Sequence, residues 1–164
     1  DNVRMKMGIW IRKLVFLVPI QIARVEKNGM VALRDGLQIP PNVSYGDIVS
    51  LANLIHFGLY DVVLNSWKGK IKVISSMGKQ CSGKSYLLNH LSGYFLDVAG
   101  SRCTDGVWMT ITAREEHGEG DGRCLFVLLN FKRLGNFERS EQEDMLLSVL
   151  NTVVSNLTIF NKKE

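Results

Sequence analysis

The stretch Gly78-Lys79-Gln80-Cys81-Ser82-Gly83-Lys84-Ser85 decides the fold of this chain. It matches the eight-position pattern G-x-x-x-x-G-K-[ST], whose glycines let backbone N–H groups approach a phosphate. Residues 70–75 before it predict a β-strand, and residues 84–91 after it predict an α-helix. Strand, glycine loop and helix together turn a row of amides and a helix N-terminus onto a polyphosphate. The pattern therefore favours a phosphate-binding loop over an ordinary glycine-rich turn.

Two side chains of this loop carry most of the predicted chemistry. Lys84 is expected to reach the β- and γ-phosphates as a point charge, and the Ser85 hydroxyl is expected to ligate Mg²⁺. The rest of the loop supplies the remaining predicted contacts with the nucleotide, from Gly78, Lys79, Gln80, Cys81, Ser82 and Gly83.

Composition narrows the class of protein. With 164 residues, of which 46% are hydrophobic, the chain can bury one core but not two complete domains. The net charge of +4 is spread along the chain, so we expect no nucleic-acid groove. The three cysteines are odd in number and far apart, which predicts reduced thiols and a cytoplasmic protein. Arg12, Lys13 and Pro19 interrupt the apolar run Ile9–Ile22, so we expect no transmembrane segment.

The sequence divides into three predicted segments. Residues 1–43 contain a predicted β-hairpin at 18–35, marked by Asn28-Gly29, and we expect this hairpin to lie outside the core. Residues 44–69 have apolar positions at helical spacing and predict a long connecting helix, in which Gly58 is a weak point. Residues 70–164 are predicted to form a phosphate-loop domain.

Strands and helices alternate in this third segment, which predicts an α/β fold with a mainly parallel sheet flanked by helices. The unbroken apolar run Leu125–Leu129 is typical of a strand that is buried on both faces. Residues 107–112 and 157–160 predict further strands. Ser140 and Glu143 form a capping box that begins the second helix of this segment.

Three stretches agree in order and spacing with one known family. They are Gly83–Asn89 with the loop before it, the run Cys103-Thr104-Asp105-Gly106-Val107-Trp108-Met109, and residues 134–156. From about Val73 to Phe160 the chain resembles the G domain of the large, dynamin-related GTPases. The very large interferon-inducible GTPases are the nearest group, and the guanylate-binding proteins and atlastins are more distant.

The resemblance implies a P-loop GTPase fold that binds GTP or GDP with Mg²⁺. By position, Thr104 matches the switch I threonine, which closes on the γ-phosphate and ligates the metal together with Ser85. The family fold also implies that strand 70–76 lies between 125–129 and 157–160, with 107–112 antiparallel outside 125–129. The resemblance leaves open whether the full-length protein forms a homodimer through its G domain.

The chain departs from the family at the Asp-x-Glu-Gly motif, where it has Asn130-Phe131-Lys132-Arg133. Asn130, still a predicted nucleotide contact, keeps an oxygen but loses the charge that holds a Mg²⁺-bound water. Lys132 reverses a charge, and Arg133 brings bulk to a position where glycine offers its amide. Cys81 stands where guanylate-binding proteins have an arginine finger. We therefore expect GTP hydrolysis to be weak or lost.

Asn161-Lys162-Lys163-Glu164 resembles the guanine-reading motif Asn-Lys-x-Asp, but too few elements separate it from Asn130. We expect the chain to be a fragment that stops about halfway through the G domain, before the residues that read guanine.

Three functions stay open: a GTP-binding part of a large GTPase, a pseudo-GTPase scaffold or assembly module, and a P-loop kinase or ATPase. The third is disfavoured because nothing resembles the base-site or lid motifs of those enzymes.

Overall fold

The computed structural model describes residues 16, 18–26, 29–34, 37–38, 53–78, 86–88, 90, 106–115, 123–131 and 141–161. In these ranges the chain forms seven strands, two α-helices and one 3-10 turn at Gly58–Tyr60. The helices are α1 (Asp61–Ser66) and α2 (Glu141–Val154). Residues 86–88 and 90 are also helical. The strands are β1 (Ile20–Glu26), β2 (Gly29–Arg34), β3 (Leu37–Gln38), β4 (Lys70–Gly78), β5 (Val107–Glu115), β6 (Arg123–Phe131) and β7 (Leu157–Asn161).

All seven strands belong to one mixed sheet with the order β3-β2-β1-β5-β6-β4-β7. Strand β4 pairs in parallel with both β6 and β7, and β5 pairs antiparallel with β6. These are the neighbours that the sequence predicted for β4, β5, β6 and β7. The fold is therefore a sheet-dominated α/β arrangement.

Strand β6 lies inside the sheet and is covered on both faces. Val127 and Leu129 belong to the large core cluster that also contains Leu147 of α2. Leu128 points to the opposite face and packs with Leu88 in a second cluster. Alternate side chains of a strand point to opposite faces, so an unbroken apolar run is what a strand with two covered faces requires.

Helix α2 is held on the first of these faces by an apolar stripe and by one buried amide. Leu146, Leu147 and Leu150 are each at most 5% exposed and recur at helical spacing. Asn151, one residue further, is 1% exposed and directs its side-chain nitrogen towards the Met77 sulfur at 3.7 Å. The helix is thereby fixed above the end of β4.

The hairpin formed by β1 and β2 is part of the sheet, so the prediction that it lies outside the core is wrong. Strand β1 pairs antiparallel with β2 on one side and with β5 on the other. Ile20 and Ile22 are at most 5% exposed and share the large core cluster with Met77. The physical reason is that β5 would otherwise present an unpaired edge of N–H and C=O groups.

The predicted long helix is interrupted, so that prediction is also wrong for the described part of residues 44–69. Residues 55–57 are not helical, and Gly58 has a φ of 51°, which a right-handed helix does not accept. The 3-10 turn that follows buries Tyr60 completely, and the Tyr60 hydroxyl donates to the carbonyl oxygen of Val18. Burial raises the pKa of Tyr60 above its ordinary value because the phenolate is desolvated. Residues 44–52 lie outside the described residues.

Within the described ranges, no helix has both the length and the apolar character needed to cross a membrane.

One asparagine fixes the start of the parallel pairing between β4 and β7. The side-chain oxygen of Asn156 accepts a hydrogen bond from the Val73 amide at 2.7 Å, and the Asn156 amide donates to the Val73 carbonyl at 2.9 Å. Leu157 then pairs with Ile74, and the ladder continues to Gly78 and Asn161. Asn156 therefore aligns β7 with β4 before the regular ladder begins.

We expect Asn156→Ala to lower the free energy of unfolding by about 1 kcal/mol, because the Val73 amide loses its acceptor. Urea denaturation measures this change. The matched control is Asn156→Asp, which keeps an acceptor oxygen and should cost less than half as much. Equal losses for the two variants would contradict a role for the side-chain oxygen.

Candidate functional site

The carboxyl ends of the parallel strands meet at one edge of the sheet. Ser76 of β4 pairs with Asn130 of β6, and Gly78 pairs with Asn161 at the end of β7. Because β5 is antiparallel to β6, it begins at this same edge, where Val107 pairs with Phe131. Open α/β sheets bind ligands outside the carboxyl ends of their parallel strands. This edge is the candidate functional site.

Two of the predicted site residues, Gly78 and Asn130, lie within the described residues and both are at this edge. Gly78 is buried at the last position of β4, and Asn130 is 5% exposed near the end of β6. The other predicted residues lie outside the described residues, and their roles stay predictions: Lys79, Gln80, Cys81, Ser82, Gly83, Lys84, Ser85 and Thr104. The same holds for Lys132 and Arg133.

The two ends of the predicted phosphate loop are described on either side of it. Gly78 has a φ of 151°, a conformation that residues with a Cβ rarely adopt, so the first glycine of the motif is needed where β4 ends. After the loop, residues 86–88 are helical, and Leu88 packs against Leu128 and Ile74. The sequence pattern of strand, loop and helix is thus consistent with the elements on both sides.

Gly106 opens β5 and is required by a close approach to β1. Its φ is 79°, and a Cβ at this position would lie 2.6 Å from the Cα of Arg24 and still closer to the carbonyl oxygen of Ala23. The register of β1 against β5 shifts between Gln21 and Ala23, which is a bulge beside this contact. The Gly106 backbone therefore fits under β1 only because it has no side chain.

Gly106 is part of the motif that carries the family resemblance, and no structural role was predicted for it. Thr104, which the resemblance identifies as the switch threonine, precedes this glycine by two residues. The signal was present, since a glycine between a loop and a strand often marks a close backbone contact.

Three polar side chains form a row across the edge of the sheet. Trp108 of β5 is directly opposite Asn130, and Asn130 is directly opposite Ser76. We name these three residues the edge row. Ser76 and Trp108 were not among the predicted site residues, although a serine at the end of a predicted strand was a usable signal.

The edge row offers no carboxylate to a bound Mg²⁺ ion. Mg²⁺ is held mainly by carboxylate and other oxygen ligands, whereas an indole N–H is only a donor and Asn130 carries no charge. Among the residues that the structure describes, no group of three or more His, Cys, Asp and Glu side chains is placed to hold a metal. Ser85 and Thr104 stay the predicted ligands.

The family model of the guanylate-binding protein N-terminal domain matches residues 60–164. The chain belongs to this family. The match begins at Tyr60, in the 3-10 turn before α1, and includes every strand from β4 to β7. The resemblance to large dynamin-related GTPases that the sequence motifs indicated is confirmed.

Two curated relatives support the same assignment. Interferon-induced very large GTPase 1 of Mus musculus is 35% identical over 98 residues, which are 56% of this chain and 4% of the relative. Protein sey1 of Aspergillus fumigatus is 27% identical over 126 residues, which are 72% of this chain and 13% of the relative. The chain therefore spans only a small part of the length of either relative.

We expect Gly106→Ala to lower the free energy of unfolding by about 2–4 kcal/mol. A left-handed conformation costs an alanine about 1–2 kcal/mol, and overpacking against the backbone of β1 adds about 1–3 kcal/mol. Urea denaturation followed by circular dichroism measures the loss.

The matched control is Gly58→Ala, which places the same side chain at a φ of 51° outside the sheet. It separates the cost of the backbone conformation from the cost of contact with Ala23 and Arg24. If both variants lose the same stability, the close approach between Gly106 and β1 contributes nothing.

Proposed function

We propose that this chain binds a guanine nucleotide, GTP or GDP, through residues Gly78–Ser85 at the carboxyl edge of the sheet, and hydrolyses GTP weakly or not at all. Lys84 contacts the β- and γ-phosphates, Ser85 and Thr104 offer hydroxyl oxygens to a metal, and the glycines admit the phosphates to the backbone amides. Asn130 takes the position beside the γ-phosphate.

The main support for this proposal is that β4, β6 and β7 end, and β5 begins, at the same edge of the sheet. Gly78, from which the motif departs, is paired with the last residue of β7, and Ser76 is paired with Asn130. The beginning of β5, which follows Thr104, is paired with the end of β6. Motifs that are 26 and 52 residues apart in sequence, counted from Gly78 to Thr104 and Asn130, therefore lead to one edge. Membership of the guanylate-binding protein family supports guanine as the base.

Weak hydrolysis follows from the chemistry at Asn130-Phe131-Lys132-Arg133. Transfer of the γ-phosphoryl group needs a metal, a positioned water and a cation that stabilises the transition state. Asn130 offers no carboxylate to a metal-bound water, Arg133 replaces a glycine, and Cys81 supplies no positive charge.

A second candidate function is favoured by the same neutral Asn130. A pseudo-GTPase that keeps the fold as a scaffold or assembly module would retain the buried sheet without needing the carboxylate. In such a protein Asn130, which is 5% exposed, serves packing at the end of β6.

A homodimer through this domain of the full-length protein and a cytoplasmic location are further proposals, and both rest on the family and on composition.

We expect Lys84→Ala to abolish measurable GTP binding by the full-length protein. Charge-assisted contacts with phosphate are about twice as strong as neutral ones, and the variant leaves only neutral amides at this position. Isothermal titration calorimetry measures the affinity. The control is Lys68→Ala, which removes an exposed lysine between α1 and β4. Unchanged affinity in Lys84→Ala would show that the loop does not bind the nucleotide.

We expect the triple reversion Asn130→Asp, Lys132→Glu and Arg133→Gly to raise GTP turnover by at least about a hundredfold, the lower end of what one positioned catalytic group contributes. Phosphate release under single-turnover conditions measures the rate. If the unreverted protein already turns over GTP as fast as the reverted one, these departures are harmless and the proposal of weak hydrolysis fails.

A further inference from the structure

Asn151 is a polar residue in the apolar face that α2 turns towards the sheet. Its side chain is 1% exposed, and Leu147 and Leu150 beside it on that face are also buried. Burying an amide among apolar side chains costs free energy unless its polar atoms are paired, whereas a leucine, which branches in the same way, carries no such cost. An amide at this position is therefore useful only through contacts that a leucine cannot make.

The nitrogen of this amide points at the residue that precedes the predicted phosphate loop. The Asn151 Nδ2 atom is 3.7 Å from the Sδ atom of Met77, and a thioether sulfur is a weak hydrogen-bond acceptor. The Ser148 hydroxyl is 3.8 Å from the same sulfur, but its single proton is donated to the carbonyl oxygen of Asp144 at 2.8 Å. Asn151 is thus the donor that is available to Met77.

The oxygen of the same amide is held by hydroxyl groups. It accepts hydrogen bonds from Ser155 at 3.1 Å and from Thr158 of β7 at 3.5 Å. The Ser75 hydroxyl of β4 donates in turn to the Thr158 hydroxyl at 3.1 Å. A chain of hydrogen bonds therefore runs from Ser75 through Thr158 to Asn151, and the amide connects it to Met77. We name these five residues the Asn151 network.

Both ends of the Asn151 network are on β4, just before the loop. Ser75 and Met77 are two residues apart, so their side chains point to the same face of the sheet, and both are 0% exposed. This is the face that α2 covers, because Met77 shares the large core cluster with Leu147. The last two side chains that β4 directs towards α2 are thus tied to one amide.

Gly78 depends on such neighbours for its position. It has no side chain to pack, and it follows Met77 directly as the last residue of β4, with a φ of 151°. Its strand pairing with Asn161 holds it from one side only. A site that reads phosphate through backbone amides must be held to within about 0.5 Å by the residues that support it. The anchored Met77 side chain supplies that support at the point where the loop departs.

We propose that Asn151 is a positioning residue for the nucleotide. It fixes Met77 and with it Gly78, so that the affinity of the loop for a guanine nucleotide depends on a side chain of α2 that lies outside the site. The inference rests on the proposed function, because it concerns the same loop. It adds that α2 and β7 set the geometry of that loop through the Asn151 network.

The first test compares two asparagines that contact β4 at different points. Calorimetry of the full-length protein with GDP in excess Mg²⁺ measures the affinity, and urea denaturation of the same samples measures stability. We expect Asn151→Leu to raise the dissociation constant by about fivefold, the factor that corresponds to one ordinary hydrogen bond. The control is Asn156→Ala, which loosens the start of the pairing between β4 and β7 at Val73 and should leave the affinity unchanged.

The comparison separates positioning from general stability. Equal losses of affinity in Asn151→Leu and Asn156→Ala would show that affinity follows stability, and they would overturn the positioning role. Unchanged affinity in Asn151→Leu also overturns it and leaves the proposed function standing. Absence of GDP binding by the unsubstituted protein overturns the proposed function, and this inference with it.

The second test asks whether Met77 is the route from Asn151 to the loop. Met77→Leu keeps an apolar side chain and removes the sulfur acceptor, so it should weaken GDP binding as Asn151→Leu does. The double variant should lose no more than Asn151→Leu alone, because both substitutions remove the same contact. Losses that multiply would overturn this route. If Asn151→Leu does not fold, Met77→Leu decides alone, and unchanged affinity in that variant overturns the proposal.

Discussion

The parallel pairing of β4 with β6 is the contact on which the rest of the structure depends. It runs from Lys70 opposite Cys124 to Ser76 opposite Asn130, so one register sets both the core and the candidate site. A shift by one residue would turn Leu129 and Val127 away from α2 and would separate Ser76 from Asn130. The apolar residues of β6 thus hold in place the polar residues at its end.

The hairpin β1–β2 acts on the site through β5. Its first strand covers the outer edge of β5, and the bulge near Ile22 lets the backbone at Ala23 lie against Gly106. The beginning of β5 is therefore fixed between two strands, while Thr104, two residues earlier in sequence, precedes this anchored point. If Thr104 senses the nucleotide as proposed, this fixed point next to it would let the movement of the preceding segment depend on the ligand.

Local patterns predicted the strands near the motif because burial and periodicity agree there. The apolar run Leu125–Leu129 suits a strand that is covered on both faces. As predicted, β4 lies between this strand and β7, and it is parallel to both. The predicted connecting helix is interrupted because Gly58 adopts a positive φ, which ends the regular structure although the apolar residues around it recur at helical spacing. The hairpin was recognised from Asn28-Gly29, but its partner β5 is more than 70 residues away, and no local pattern encodes that contact. The edge row was missed for the same reason, since the register of three strands brings its members together.

The proposed function requires that nucleotide phosphate bind at the carboxyl edge between β4, β5 and β6. Hydrogen–deuterium exchange of the full-length protein with and without GTP tests it most directly. We expect slower amide exchange on GTP addition in residues 78–90 and at the beginning of β5, with no change in β2, which lies three strands away from β6. Exchange in residues 78–90 that is unaffected by saturating GTP would contradict it.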